Sequence, residues 1–297
     1  MARIYANRAY DATVVTPDQW RARGDYFTWR GHRVFFRVEG TGEPALLIHG
    51  FPTASWDWFA VWPKLVERYR LITLDMIGFG FSDKPRRFDY AIAAQADLFE
   101  ALLARERVAS YHVLAHDYGL TVAQELLARQ GAASSPIRTA CLLNGGLFPE
   151  AHRPVLTQKL LASRLGPVIA RLSSFRTFAR TMQRIWGGVP PSEHELRAMW
   201  QLVTENSGMA VMPKLIGYIE QRRRNRERWV GALVRSKVPI RLIDGLVDPI
   251  SGAHMVARYR ELVPNPDVVE LAGVGHYPQI EAPEAVCAAT LEWFDRG

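Results

Sequence analysis

Short apolar runs with strand spacing alternate along this chain with longer stretches of helical spacing. Residues 26–30 and 34–38 read as an opening hairpin, followed by buried strand-like runs at 45–48, 71–75, 111–115, 137–143, 240–244 and 268–271. Apolar positions three and four apart predict helices over 92–107, 120–130 and 282–294. This order predicts an α/β fold, a mostly parallel eight-stranded sheet flanked by helices. From Gly146 to about Trp229 the strand signal stops. Gly187, Gly188, Pro190 and Pro191 mark a break there, and Ser192 with Glu195 has the spacing of a capping box. The segment is expected to be a helical cap inserted into the core. The expected division is core over 1–146 and 233–297, with the cap over 147–232. A cap closes a site from above and excludes water.

Composition narrows the class without changing the fold. With 297 residues, 48% of them hydrophobic, the chain can bury a large core and carry an insertion. Its two cysteines, Cys141 and Cys287, fall in apolar contexts and are expected to be buried thiols in a reducing compartment. No apolar run approaches the roughly 18 residues of a membrane span. Residues 1–10 lack the apolar stretch of a signal peptide, so a cytoplasmic location is expected. The net charge of +7 is sharpest at Arg222, Arg223, Arg224, Arg226 and Arg228. No aromatic interleaving or nucleic-acid motif accompanies that run, so no nucleic-acid partner is expected. The run reads as a solvated helix junction paired with carboxylates.

The chemistry starts at Ala115, His116, Asp117, Tyr118 and Gly119, between a strand-like run and a helical one. Small residues stand two before and two after Asp117. This spacing resembles the nucleophile elbow of α/β-hydrolases, where the turn is too tight for larger neighbours. The apex is Asp, not Ser, which suits displacement at a saturated carbon rather than acyl transfer. No serine has Gly or Ala at both flanking positions; Ser82 fails because Lys84 stands two beyond it. His49, Gly50, Phe51 and Pro52 follow an earlier strand, so the N–H groups of Phe51 and Tyr118 are the expected oxyanion hole. Asp248, just past a late strand, is the expected acid. Asp244 competes with it but lies within the strand. His276, in a glycine-flanked loop after the last strand, is the expected base. Asp75, ahead of Gly78 and Gly80, reads as a loop former that holds backbone amides. No metal-ligand spacing occurs, and neither metal nor organic cofactor is expected.

Together these motifs resemble the epoxide hydrolase and haloalkane dehalogenase branch of the α/β-hydrolases, over nearly the whole chain. Residues 75–85, 116–119, 143–154 and 228–233 carry the likeness further. The resemblance implies a covalent alkyl-enzyme ester on Asp117, hydrolysed by water that His276 deprotonates under orientation by Asp248. The implied substrate is a small apolar electrophile, an epoxide first and a haloalkane as the alternative. A pocket that only binds a small ligand is the alternative of another class. Dehalogenases hold halide with a Trp after the nucleophile; here that residue is Tyr118. Epoxide hydrolases place two cap tyrosines over the nucleophile as proton donors. Residues 147–228 contain one tyrosine, Tyr218, expected as leaving-group donor. Trp186, Trp200, His152 and His194 are the other candidates. Some dehalogenases take their acid from the loop after the sixth strand, where this chain has Asn144.

Overall fold

The computed structural model describes residues 15–130 and 135–297. The reading of the N-terminal ten residues therefore lies outside the described residues. The strands are β1 (Asp25–Trp29), β2 (His32–Glu39), β3 (Glu43–Ile48), β4 (Tyr69–Leu74), β5 (Tyr111–Ala115), β6 (Ile137–Leu143), β7 (Ile240–Gly245) and β8 (Asp267–Leu271). All eight fall where the apolar runs predict them. They form one sheet in the order β1-β2-β4-β3-β5-β6-β7-β8. β2 runs antiparallel to β1 and β4, and the remaining pairs are parallel.

The period of two along a strand explains the two cores. In β3, Leu46 and Ile48 face one apolar cluster, while Ala45 and Leu47 face the other. Cys141 and Leu143 of β6 share the second cluster, whereas Ala140 and Leu142 enter the first. β5 is buried along its whole length, as expected of a central parallel strand covered on both faces. Helices Ile92–Arg105 and Arg226–Val234 both pack against helix Tyr118–Ala128. Helix Pro283–Phe294 lies against β6 and β7.

Four helix boundaries differ from the periodicity by one or two residues, and two of them have a backbone cause. The first helix ends at Arg105 rather than at 107, because Arg107 takes a left-handed φ of 55°. The helix after β5 starts at Tyr118, two residues early, because Asp117 itself stands at its N-cap. Between β6 and β7 the described chain is helical, beginning with Leu156–Leu161, Gly166–Leu172 and Phe175–Ile185. The capping box forms at helix Glu193–Thr204, where Ser192 accepts from the Glu195 N–H. Cys141 and Cys287 are buried free thiols. No described helix is long and apolar enough to cross a membrane.

Candidate active site

The carboxyl ends of parallel strands converge, and loops leaving them meet in a crevice. Here the loops after β3, β5, β6, β7 and β8 deliver Phe51, Asp117, Asn144, Asp248 and His276.

Asp117 has φ 45° and ψ −105°, a conformation that L-residues avoid. Such a residue costs on the order of 1–3 kcal/mol and persists only where its surroundings over-determine it. Gly119 is part of that constraint. A Cβ there would lie 2.3 Å from the carbonyl oxygen of Ile48. The Asp117 N–H donates to the Asn144 carbonyl at 2.9 Å, fixing the turn from the β6 side. The result aims a buried carboxylate out of the sheet end. The Phe51 N–H donates to its Oδ2 at 3.1 Å, while Oδ1 accepts no hydrogen bond. Tyr118 occupies the first helical position, where an N–H has no partner within its helix.

The Phe51 turn is held from behind. His49 Nδ1 donates to the Gly50 carbonyl at 2.9 Å, and Nε2 accepts the Met76 N–H at 3.1 Å. Burial lowers the His49 pKa to about 4, so the ring is a neutral brace. Asp75 behaves as the sequence suggests. Its carboxylate accepts the N–H groups of Ser55 and Phe81, each at 2.8 Å.

His276 Nδ1 donates to Asp248 Oδ2 at 2.7 Å, leaving Nε2 free. Asp248 also accepts from the N–H of Ile250 at 2.8 Å, the hydroxyl of Ser251 at 2.6 Å and the Nδ2 of Asn144 at 3.1 Å. Burial opposes charge on both members of the pair. The Asp248 carboxylate, its hydrogen bond and the nearby Asp117 charge nevertheless raise the imidazole pKa. The imidazolium and the donors around Asp248 hold that carboxyl below its ordinary range. Asp244 points elsewhere. Neither of its oxygens has a partner, and burial pushes its pKa well up. His116 adds a second fixing contact, its Nε2 donating to the His276 carbonyl at 2.7 Å.

Against known proteins, the profile of the alpha/beta hydrolase fold family matches residues 44–283. The chain belongs to that family. It is 43% identical over 279 residues to the mesoderm-specific transcript homolog protein of Bos taurus, covering 89% of this chain and 83% of that protein. It is 41% identical over 279 residues to the putative hydrolase LipZ of Mycobacterium tuberculosis, covering 92% of this chain and 96% of that one. Among solved structures, a haloalkane dehalogenase variant from Bradyrhizobium elkanii superposes with a TM-score of 0.75 at 21% identity, covering 92% of this chain and 96% of that one.

A largely apolar cavity of about 100 Å³ reaches this cluster at His276. Phe51 and His276 form part of its wall, together with Phe178, Met182 and Trp200 from the helices between β6 and β7. Tyr218 is fully buried, its ring 5.0 Å from that of Tyr118 and 5.9 Å from that of Phe51. Its hydroxyl makes no hydrogen bond of ordinary geometry. Burial and the Asp117 charge raise its pKa, keeping the phenol protonated. Trp186 stacks on Tyr277 with centroids 4.9 Å apart, its Nε1 also unpartnered. His152 is buried, and burial together with the Arg222 charge lowers its pKa to about 3. His194 is exposed and is not part of the cavity wall.

One part of the basic run departs from the expected solvated junction. Arg223 and Arg224 pair with Glu220, Arg226 with Glu150, and Arg228 with Glu125, as a solvated run would. Arg222 turns inward instead and is 2% exposed. Its Nη2 donates to the Asp117 carbonyl at 2.9 Å, and its Nε to Thr121 Oγ1 at 2.6 Å. Its guanidinium carbon lies 4.5 Å from the Tyr218 ring centroid. A Cβ at Gly146 would come within 2.3 Å of Arg222 Nη1 and 2.8 Å of His152 Nδ1, so that glycine makes room for both. The signal was present in the sequence. Tyr218 and Arg222 are four apart and share one face of helix Tyr218–Arg224.

Proposed function

We propose that this hydrolase opens an epoxide to a diol by a two-step covalent route with Asp117 as nucleophile. The observation that carries the reading is the asymmetry of the Asp117 carboxylate. Oδ2 already accepts the Phe51 N–H, whereas Oδ1 accepts no hydrogen bond and has the Arg222 guanidinium 3.9 Å away. In the first step Oδ1 attacks a ring carbon. The carbon–oxygen bond of the epoxide breaks, and the Tyr218 hydroxyl gives its proton to the departing alkoxide. The product is an alkyl ester of Asp117. In the second step His276 Nε2 takes a proton from water, and the hydroxide attacks Cγ of Asp117. The Phe51 and Tyr118 N–H groups stabilise the oxyanion on Oδ2. Collapse breaks the Cγ–Oδ1 bond; the departing diol oxygen takes the proton held by His276, and the acid proton left on Asp117 passes to the Tyr218 phenolate, so that all three groups are restored. Asp248 orients the imidazole and balances its charge.

In this reading the helices over 147–232 are a cap. They supply Tyr218 and most of the cavity wall, and they keep bulk water from the ester. The apolar lining favours a lipophilic substrate with little hydrogen-bonding capacity. The Asp at the elbow and the protonated Tyr218 support an epoxide over an ester. Tyr118, in place of a halide-holding Trp, lowers the case for a haloalkane.

The test is a panel of epoxides, haloalkanes and esters, with diol, halide and acid detected separately. Diol formation by the wild type, abolished in Asp117→Ala, is the expected result. Halide or acid as the main product would overturn the substrate class. Equal turnover by Asp117→Ala would overturn the nucleophile.

A further inference from the structure

Between Glu150 and Glu193 the sequence contains no acidic residue, while seven Lys and Arg side chains fall between Arg153 and Arg184. All seven are exposed. Among the described residues none of them makes an ion pair, unlike Arg226 and Arg228 in the later basic run. The same segment carries five of the seven large apolar side chains exposed in the described chain. They are Leu156 (65%), Leu160 (37%), Leu165 (62%), Val168 (53%) and Leu172 (74%).

Their spacing gathers them into two stripes. Leu156 and Leu160 are four apart on helix Leu156–Leu161. Val168 and Leu172 are four apart on helix Gly166–Leu172, with Leu165 at its N-cap. The two helices contact each other. On their inner side, Gln158 and Leu161 line the cavity and Ala170 is buried. The segment is therefore apolar on two sides. One side faces the cavity, and the other is bare between unpaired cations.

We propose that helices Leu156–Leu161 and Gly166–Leu172 dock the protein peripherally on an anionic lipid surface. The leucines and Val168 enter the interface, and the cations sit at headgroup level. Exposed apolar residues ringed by Lys and Arg, with no acid nearby, are the pattern of an interfacial helix. A nucleic acid would match the charge but gain nothing from five bare aliphatic side chains. A second copy meeting patch to patch would bring two like-charged surfaces together. The surface also adjoins the cavity mouth. Thr177, which lines the cavity, is exposed, and Ser173, also in the lining, follows Leu172 directly. A lipophilic substrate dissolved in the bilayer would thus reach the cavity without crossing water. The docking itself stands apart from the reaction proposed above.

Vesicle flotation with the full chain tests this. Phosphatidylcholine vesicles are compared with phosphatidylcholine–phosphatidylglycerol vesicles at roughly 3:1. The protein is expected to float with the anionic vesicles, to float much less with phosphatidylcholine alone, and to be released by salt. Leu165→Ser with Leu172→Ser should weaken partitioning by about tenfold or more, since both side chains lose apolar burial. Arg164→Gln with Arg171→Gln should weaken it by about fivefold per charge. Thermal melting confirms that these surface variants fold. Failure of the wild type to float, or undiminished flotation of both variants, overturns the proposal. So does a dimer in sedimentation equilibrium that Leu165→Ser with Leu172→Ser dissolves, because the patch would then be a self-association surface.

Discussion

Arg222 donates from Nη2 to the backbone carbonyl of Asp117 at 2.9 Å, across 105 positions of sequence. The same guanidinium nitrogen lies 3.9 Å from Asp117 Oδ1. The strained apex is thus held by a buried cation from the helix that also carries Tyr218. Arg222→Met keeps much of the aliphatic volume but strands the Asp117 carbonyl and the Thr121 hydroxyl in a buried site. Each lost charged hydrogen bond is worth about 1.5–3 kcal/mol. A drop in Tm of several degrees is expected, together with slower formation of the alkyl ester. Arg222→Lys should recover part of the stability but not the paired geometry. Calorimetry and single-turnover kinetics check this. An unchanged Tm would make Arg222 a bystander.

The two chemical steps need different residues, so one substitution should separate them. In His276→Gln, Asp117 can still attack but no base activates water. The alkyl ester should accumulate, visible by intact-protein mass spectrometry as one adduct on the peptide containing Asp117. If a substrate turned over by the wild type leaves no adduct, the covalent route fails, or His276 also serves the first step.

Much of this architecture was legible. The short apolar runs locate all eight strands, because seven of them bury one face or both and β8 packs Val268, Val269 and Leu271 against the two cores. The small residues around Asp117 were readable because the elbow tolerates nothing larger. Asn144 and Ser251 were not assigned as partners of Asp248, since hydrogen bonds to a carboxylate leave no periodic trace. Arg222 was hidden for another reason. It sits among four arginines that do face solvent, and composition cannot tell which member of a charged run turns inward. Only its spacing from Tyr218 marks the difference.

Asp248 is surrounded by donors. His276, Ile250, Ser251 and Asn144 all donate to its two oxygens. Asn at this position must place an NH2 group against one of those donors, whichever way it turns. It also loses the charge that balances the imidazolium. Asp248→Asn should therefore cut turnover by roughly two orders of magnitude or more and make the ester accumulate as in His276→Gln. Near-normal turnover would sink the Asp248 assignment and turn attention to Asp244 or Glu150. The first has a partnerless buried carboxyl, and the second is tied to Arg226 and Arg258.

pH should move activity and stability in opposite directions. In the resting enzyme burial lowers the His276 pKa, but the Asp248 and Asp117 carboxylates outweigh it and raise it to about 9. Esterification removes the Asp117 charge. Hydrolysis of the ester should then rise with pH and level off around an apparent pKa below that value. Stability has the reverse sign. The folded pKa exceeds the unfolded value of about 6.5, so the ion pair stabilises fully below about 6.5 and is lost as pH climbs through 9. The wild-type Tm should fall across that window, and that of His276→Gln should fall less. Parallel curves for the two proteins would count against the charged pair.

Tyr218 decides between the two leading substrates. Opening an epoxide leaves an alkoxide, which is costly to form beside a buried carboxylate without a proton donor. Displacing a halide leaves a weakly basic anion that needs no proton. Tyr218→Phe removes the hydroxyl yet keeps the ring contacts with Phe51 and Tyr118 and the guanidinium of Arg222 over its face. That hydroxyl makes no hydrogen bond of ordinary geometry in the resting enzyme, so the fold should lose little. The rate of alkylation by an epoxide should drop by about tenfold or more, the size expected of a general acid. Any alkylation by a haloalkane should change far less. Equal losses on both substrates would mean that Tyr218 acts through packing. An unchanged epoxide rate would move the donor to Trp186, whose buried Nε1 has no partner, or to the buried His152 beside Arg222.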